Sequence, residues 1–279
     1  MSGALVVVAT PIGNLGDLSP RAVEALASVD VVACEDTRRT RGLLSHAGIP
    51  GSGRLVAVHA HNEADRAADL VERMLAGARV AYVSDAGTPG VSDPGARLVA
   101  ACVEAGVPVE VVPGASAVLA AIVLSGFVAD RFTFEGFLPR KGRERAARLA
   151  VIAADERVQV LYEAPGRVAA TLADLAAACG PDRPVAIARE ITKLHEEVGR
   201  PPLGAAATRA AEVEPRGEYV IVVGPEVAVE IEVDDAVLVE AVRVAMADGA
   251  SRRDAAAAVA QEFGVAKRRV YELALGTDR

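Results

Sequence analysis

The chain has 279 residues, enough for two domains of ordinary size, and 52% of them are apolar, which excludes a disordered protein. Its formal net charge is −8, so the overall charge does not favour nucleic-acid binding, and any RNA contact would require a local basic patch. Aromatic residues make up 3% of the chain and Trp is absent, which limits the number of bases that could be stacked.

Targeting and redox signals are weak. Cys34, Cys102 and Cys179 lie far apart in apolar settings, so they suggest neither a disulfide framework nor a zinc site. No signal-peptide pattern precedes the first apolar run, and we expect a cytoplasmic location. The uncharged stretch 111–129 is interrupted by Pro113-Gly114 and Ser125-Gly126, so it predicts a buried core helix rather than a membrane span.

The first part of the chain alternates strand-like and helix-like segments. Predicted strands cover 5–9, 29–33, 55–58, 80–83 and 107–112. Predicted helices begin at Ser19-Pro20 and cover 64–75, 96–103 and the apolar segment ending at Leu124. This alternation predicts a mostly parallel sheet with helices on both faces. Several strands end in Gly, Ser, Asp or Glu, and these ends could form one site along one edge.

The loop 84–95 is the strongest local signal of a binding site. It holds three glycines and two prolines at the carboxyl end of a predicted strand, where ligands bind in open α/β sheets. Its length exceeds what a strand-to-helix connection needs. Asp93-Pro94 is predicted to begin the following helix, with Asp93 accepting free backbone N–H groups and Gly106 lying just past the helix end.

A second unit begins near Gly126, with predicted strands at 131–136, 157–162, 185–191 and 219–223 and helices at 143–154 and 168–179. Residues 230–233 alternate and are predicted as a linker or edge strand. From Asp234 onward the sequence pattern predicts three helices, at 236–247, 251–263 and 266–273, and a Gly turn separates the last two. That pattern is typical of either a helix-turn-helix or a small helical cap.

Several activities lack their motifs. The first strand is not followed by G-x-G-x-x-G, and no Walker G-x-x-x-x-G-K-[ST] or G-x-S-x-G elbow occurs, which argues against NAD, FAD, ATP and serine-hydrolase chemistry. His59 and His61 are predicted to share one face of a strand, where they could bind a metal. Since a third ligand at suitable spacing is missing, we expect no metal site.

A series of long motifs resembles the tetrapyrrole-methylase superfamily, and more narrowly its ribosomal RNA methyltransferase branch. These motifs cover 9–17, 35–38, 61–63, 84–90, 113–117, 134–139, 162–167, 188–193 and 217–219 in order, within about residues 4–224. Ala164 stands where many relatives are expected to have Ser. The resemblance implies an α/β fold with an N-terminal domain (1–125), a cleft and a C-terminal domain (126–233), followed by a helix-turn-helix-like extension (234–279).

The same resemblance implies S-adenosylmethionine as methyl donor, bound in the cleft. It also implies a homodimer that methylates a cytidine ribose 2′-hydroxyl in the decoding region of 16S ribosomal RNA. The residues that would bind the donor are Pro11, Asp85, Ala86, Gly87, Thr88, Pro89, Ser116, Ala117, Tyr162 and Ala188.

A ribose hydroxyl is a poor nucleophile, so a base or hydrogen-bond acceptor should assist it. Charged residues in the motifs supply the candidates. They are Glu35, Asp36, Glu63, Glu163, Glu190 and, if burial lowers its pKa, Lys193. We single out Glu35, Glu63 and Glu190 for the first tests, although structural roles remain open for each.

Basic clusters are the best candidates for phosphate contacts on this acidic chain. They comprise Arg38, Arg39 and Arg41; Arg140, Lys141 and Arg143; and Lys267, Arg268 and Arg269. Solvated surface charge is the alternative explanation for each. These clusters and the terminal helices favour RNA over a tetrapyrrole, such as a cobalamin or sirohaem precursor, as the methyl acceptor. A non-catalytic nucleic-acid-binding protein is the third alternative, which saturable donor binding would exclude.

Overall fold

The computed structural model describes residues 3–50, 53–59, 61–225 and 233–276. The first half is built on a five-stranded sheet in the order β3-β2-β4-β1-β5, and every pairing in it is parallel. Its strands are β1 Ala4–Val8, β2 Val31–Cys34, β3 Leu55–Ala57, β4 Arg79–Val83 and β5 Val109–Val112. The predicted parallel sheet is therefore confirmed.

Helices cover both faces of this sheet, as the alternation predicts. They are α1 Pro20–Ser28, α2 Thr37–His46, α3 Glu63–Leu75 and α4 Ala96–Glu104, and the next helix in the chain is α5 Ala117–Ser125. One core joins Leu26 of α1 and Leu44 of α2 to the sheet, and the other joins Leu70 of α3 and Leu98 of α4 to its opposite face. Strands that are covered on both sides read as continuous apolar runs, which explains why β1 and β4 are recognisable from sequence.

The second half is built on a mixed sheet in the order β6-β7-β10-β8-β9. Its strands are β6 Phe132–Phe137, β7 Val158–Glu163, β8 Val185–Arg189, β9 Glu197–Gly199 and β10 Tyr219–Val223. Among the described strands of this sheet, β6 and β7 pair in parallel, and the β7–β10, β10–β8 and β8–β9 pairings are antiparallel. Helices α6 Gly142–Ala154, α7 Val168–Cys179 and α8 Leu203–Glu212 complete this half.

Helix α5 follows the first sheet in sequence but packs on the second. Val118 and Ala121 belong to a core with residues of β7, β8 and β10, while Leu119 and Val123 are 56% and 80% exposed. The prediction of a buried core helix over this stretch is thus wrong for one face. The helix is apolar all round, and the second sheet covers only one side of it.

Residues 227–279 form a separate compact unit. It contains α9 Asp235–Ala247, α10 Arg252–Glu262 and α11 Lys267–Gly276, which confirms the three predicted helices. Leu238, Val242, Val259 and Val270 share its core. The predicted linker at 230–233 lies almost wholly outside the described residues. Among the helices described for the chain, none is long and apolar enough to cross a membrane.

Candidate active site

A cavity of about 370 Å³ lies between the two α/β halves, at the carboxyl edge of the first sheet. Its first wall comes from the loop after β4 and from the start of α5, and its second wall from β6, β7, β10 and the loop after β8. This volume is within the range of small-molecule sites. The cleft that the sequence resemblance implies is therefore present as a defined space.

The loop between β4 and α4 forms the first wall and is held in a specific shape. Gly87, Gly90 and Gly95 have φ of +78°, +82° and +119°, where glycine carries no steric cost. Ser92 also has a positive φ, +62°, which costs a residue with a side chain. A Cβ on Gly95 would lie 2.2 Å from Cε1 of the buried Tyr82 ring, so the loop closes directly onto the core.

The buried carboxylate of Glu63 caps α4. Its Oε1 accepts hydrogen bonds from the backbone N–H groups of Gly95 (2.9 Å), Arg97 (2.9 Å) and Leu98 (3.4 Å). The helix predicted over 96–103 is confirmed at its start, because α4 begins at Ala96, but the predicted cap is wrong, since Glu63 and not Asp93 accepts from the free N–H groups. This contact gives Glu63, a candidate base in the sequence, a structural task.

Asp93 lines the cavity instead of capping the helix. Burial and the neighbouring Glu35 carboxylate raise the pKa of Asp93 to about 6, with Asp85 adding to the effect and a hydrogen bond from Ser84 opposing it. Burial and the Asp85 carboxylate likewise raise the pKa of Glu35. Three carboxylates thus gather at the ends of β2 and β4 and on the loop that follows β4.

Tyr162 dominates the second wall. Its ring packs edge-on against Phe134, with centroids 5.0 Å apart, and lies 5.7 Å from Phe137, which also lines the cavity. Burial and the charge of Asp93 raise the pKa of Tyr162 to about 12, while the N–H of Val118 donates towards its oxygen. Tyr162 therefore stays protonated and faces Asp93 across the cavity.

Glu163, next in the chain, is fully enclosed by donors. Its carboxylate accepts hydrogen bonds from the Thr171 hydroxyl at 2.6 Å and from the Ala164 N–H at 2.9 Å, and it pairs with Arg167 at 3.2 Å. Arg145 extends this network to Thr171 and Asp174. These contacts give Glu163 a structural role and hold the start of the second wall in place.

The loop after β8 carries two strained residues, Glu190 and Thr192, with φ of +52° and +68°. Lys193 Nζ donates to Glu190 (2.9 Å) and to Glu218 (2.8 Å), and the Glu218 N–H donates to Glu190. Partial burial opposes the charge on Lys193, but the hydrogen bonds to Glu218 and Glu190 outweigh it and raise the lysine pKa. The lowered pKa that Lys193 would need to act as a base is therefore not found, because the net shift is upward.

The candidate bases Glu190, Glu35 and Asp36 differ in how strongly their carboxylates are held by neighbouring donors. The hydrogen bond from Lys193 and the N–H of Glu218 lower the pKa of Glu190. Glu35 lies near Asp85 and Asp93, and burial and the Asp85 carboxylate raise its pKa. Asp36 caps α2 and pairs with Arg38, which lowers its pKa to about 2. None of these three lines the cavity.

Most of the residues assigned to the donor by resemblance line the cavity. These are Ala86, Gly87, Thr88, Ser116, Ala117 and Tyr162. Pro11 and Asp85 line a smaller neighbouring cavity of about 260 Å³, next to Arg39. There the Asp85 carboxylate accepts a hydrogen bond from the Asp36 N–H at 3.0 Å. Pro89 and Ala188 line neither cavity, and Ala188 is buried in the core under α5.

The basic clusters fall into two kinds. Arg140, Lys141 and Arg143 are exposed just before and at the start of α6, and they form no ion pair within the part of the chain that the structure describes. Most members of the other two clusters are compensated by acidic partners: Arg38 pairs with Asp36, Arg39 with Asp85, Arg268 with Glu272, and Arg269 with Asp235. Arg41 and Lys267 are exposed and form no ion pair among the described residues.

His59 and His61 lie beyond the end of β3, not on a strand face as predicted, with ring centroids 6.1 Å apart. Within the described ranges, no group of His, Cys, Asp or Glu side chains is arranged to hold a metal ion.

Sequence reasoning missed several residues of the cavity wall. The principal ones are Ile12, Val91, Asp93, Phe137, Ile191 and Glu218. All six lie in or beside the quoted motifs, so motif membership was the available signal. Motif membership does not give side-chain direction, and the Glu63 cap that leaves Asp93 without the capping role comes from 32 residues before Gly95.

Residues 4–207 match the family model described as Tetrapyrrole (Corrin/Porphyrin) Methylases. The chain therefore belongs to the tetrapyrrole methylase family. A solved uroporphyrin-III C-methyltransferase from Thermus thermophilus, in complex with S-adenyl homocysteine, has a TM-score of 0.57 at 23% identity and matches 80% of this chain and 97% of its own. A diphthine synthase structure has a TM-score of 0.60 at 17% identity and matches 80% and 90% of the two chains. Both share the fold.

Sequence relatives are much more similar and point to one member of that family. Ribosomal RNA small subunit methyltransferase I of Synechocystis sp. is 45% identical over 98% of this chain and 98% of its own. The protein of that name from Mycobacterium tuberculosis is 45% identical over 100% of this chain and 96% of its own. The one from Xylella fastidiosa is 49% identical over 79% and 81%.

Proposed function

We propose that this protein transfers a methyl group from S-adenosylmethionine to the 2′-hydroxyl of a cytidine ribose in the decoding region of 16S ribosomal RNA. The observation that carries the proposal is the 45% identity to ribosomal RNA small subunit methyltransferase I proteins along the whole chain. Such a substrate implies work in the cytoplasm.

The cavity supports a donor of this kind. Its walls are mainly apolar and aromatic, as a nucleoside requires, and the first turn of α5 faces it with Ser116 as cap. A Cβ on Gly87 would lie 3.2 Å from Cγ2 of Ile12, and its φ is +78°, so a side chain at this position of the wall would be strained. Ala86, Thr88, Ala117 and Tyr162 then bind the donor from both halves.

When bound, S-adenosylmethionine supplies an electrophilic methyl group on its sulfonium. The protein's main task is then to align the acceptor hydroxyl with that methyl group. The two halves do this by enclosing one cavity, with the loop after β4 on one side and Tyr162 on the other.

The decisive experiment is transfer of a labelled methyl group to isolated small ribosomal subunits and to naked 16S RNA, followed by nuclease digestion and mass spectrometry of the nucleosides. We expect 2′-O-methylcytidine as the product. A base-methylated nucleoside, or no transfer with donor binding intact, contradicts the proposal. Transfer to a uroporphyrin-type acceptor instead favours the tetrapyrrole alternative.

We propose that Arg140, Lys141 and Arg143 contact RNA phosphates, because they are exposed and uncompensated within the described chain. Reversing Arg140 and Lys141 to Glu should weaken RNA binding and reduce its salt dependence. The matched control reverses Arg209 and Arg216, which pair with Glu197 and Glu214 and give the same change in net charge. Equal losses in both variants would exclude a specific role for this loop. Arg38, Arg39, Lys267, Arg268 and Arg269 remain weaker candidates.

We also propose a homodimer in which a second copy covers α5. Leu119 and Val123 lie one turn apart on its exposed side, and Val128 beyond it is 82% exposed. Val123→Arg should convert the dimer to a monomer in sedimentation experiments. Val103→Arg, on the exposed side of α4, is the control and should leave the assembly unchanged. A wild-type monomer would contradict the proposal.

A further inference from the structure

Asp93 has no structural task of the kind its sequence position suggests. An Asp-Pro pair before a helix predicts a cap, yet the three N–H groups at the start of α4 are bound by Glu63. The carboxylate of Asp93 is thereby left to line the cavity between the two halves. Ser92, with its strained positive φ, immediately precedes it and lines the same cavity.

The surroundings of Asp93 suit a proton acceptor. The Ser84 hydroxyl at the end of β4 is close enough to lower the pKa of Asp93, while burial and the Glu35 and Asp85 carboxylates at the ends of β2 and β4 raise it. Tyr162 faces it from β7, and Asp93 affects the titration of that phenol. No cation is among the groups that raise or lower the pKa of Asp93. A carboxylate in such a site binds a proton more strongly than one in water.

The other acidic candidates are bound by donors or, like Glu35 and Asp36, do not line the cavity. Glu63 caps α4, Glu163 is enclosed by Thr171 and Arg167, and Glu190 pairs with Lys193. Three acidic residues line the cavity: Asp93, Glu163 and Glu218. Of these, Glu218 forms an ion pair with Lys193. Asp93 alone among these wall carboxylates has no positive partner in an ion pair of the described chain.

We propose that Asp93 is the catalytic residue that accepts the proton of the ribose hydroxyl during methyl transfer. This inference rests on the proposed function. The ribose oxygen forms a bond to the methyl carbon, and the carbon–sulfur bond breaks with its electron pair going to sulfur. The hydroxyl proton passes to the Asp93 carboxylate, which returns it to solvent after the products leave.

The test compares Asp93→Asn and Asp93→Glu with wild type in single-turnover transfer to small subunits, at pH values on both sides of 6. For wild type we expect the rate to rise with pH through about 6, because the carboxylate must be ionised to accept the proton. Asp93→Asn should lower the rate on the order of 10² to 10⁴-fold and abolish that rise. Asp93→Glu should restore part of the rate and the rise.

Calorimetric binding of S-adenosylmethionine and the free energy of unfolding are measured for each variant, and both should stay near wild type for Asp93→Asn. The matched control is Asp65→Asn on the exposed surface of α3, which should change neither rate nor pH profile. A flat wild-type profile through pH 6, or an Asp93→Asn variant that keeps its rate, overturns the inference. If wild type makes no 2′-O-methylcytidine while it binds the donor, the proposed function itself fails.

Discussion

The two loops that meet at the cavity achieve unusual backbone shapes by different means. The loop after β4 uses glycine at three of its four positive-φ positions, whereas the loop after β8 uses Glu190 and Thr192. The first shape is permitted by the absence of side chains. The second is imposed by hydrogen bonds, since Lys193 and the Glu218 N–H hold Glu190, and the Asn14 N–H donates to Thr192 at 3.1 Å.

This difference predicts where each loop is vulnerable. In the glycine loop, an added side chain collides with the core or strains the backbone, so substitutions act through sterics. In the loop after β8, the strained backbone is held by hydrogen bonds to the side chains of Glu190 and Thr192. Removing one of these hydrogen-bond partners releases backbone strain but loses the bond, so substitutions act mainly through hydrogen bonding and charge. Substitutions at Gly95, Glu63, Lys193 and Ser92 distinguish steric effects from the loss of hydrogen bonds and ion pairs.

Gly95→Ala should lower the free energy of unfolding by about 3 kcal/mol, because its Cβ would overlap the buried Tyr82 ring at 2.2 Å and a φ of +119° strains any side chain. Denaturant unfolding measures this. Gly106→Ala, with a φ of +69° and open space at its Cβ, is the control and should cost only about 1 kcal/mol. Equal costs at both positions would show that sterics with Tyr82 do not matter.

Glu63→Ala should lower the free energy of unfolding by about 2 kcal/mol, since three N–H groups at the start of α4 lose their acceptor. The exposed Glu72 on the same helix provides the comparison, and Glu72→Ala should stay within about 0.5 kcal/mol of wild type. If Glu63→Ala were equally mild, the cap would contribute nothing to stability.

Lys193→Met should cost about 1 kcal/mol at neutral pH by removing the partner of Glu190 and Glu218. The lowered pKa of Glu190 makes its contribution complete above the ordinary Glu value of 4.5 and lost as pH falls through the folded-state value. The raised pKa of Lys193 makes its own contribution complete below 10.5 and lost as pH rises through the folded-state value. The difference between variant and wild type in unfolding experiments should therefore shrink at both ends, and a pH-independent difference would contradict the ion-pair explanation.

Ser92→Gly should raise the free energy of unfolding by about 0.5 kcal/mol, because relief of its left-handed strain slightly exceeds the entropic cost of glycine. Thr192→Gly relieves the same strain but loses the hydrogen bond from Asn14, so it should not stabilise the protein. Thermal unfolding of the two variants side by side tests the contrast. Equal stabilisation by both would remove the distinction between the loops.

The strands and helices that could be predicted from the sequence are those whose formation depends on residues close by in the chain. The strands of the first sheet and the helix cap at Ser19 follow from apolar runs and local capping residues. Helix α2 was missed because its charged start, Thr37 to Arg41, looked like a loop, although Thr40 and Leu44 are buried. The antiparallel place of β10 between β7 and β8 was also missed, since strand order depends on contacts distant in sequence.

The site shows the same limit. The glycine-rich loop and Tyr162 were identified through motifs, and both line the cavity. The role of Asp93 could not be read locally, because it follows from a carboxylate 32 residues from Gly95 that takes over the capping of α4. The domain boundaries at 125 and 233 stay predictions, although α5 ends at the first of them and packs beyond it.

That position of α5 has a consequence for how the molecule unfolds. Residues 117–125 continue from the first sheet, yet their buried side chains complete the core of the second. Cutting the chain after Ser125 would remove α5 from the core of the second half. The first half would then end in an apolar helix with no sheet to pack against. Folding of the two halves is therefore interdependent, and we expect them to melt as one cooperative block in calorimetry rather than in two steps.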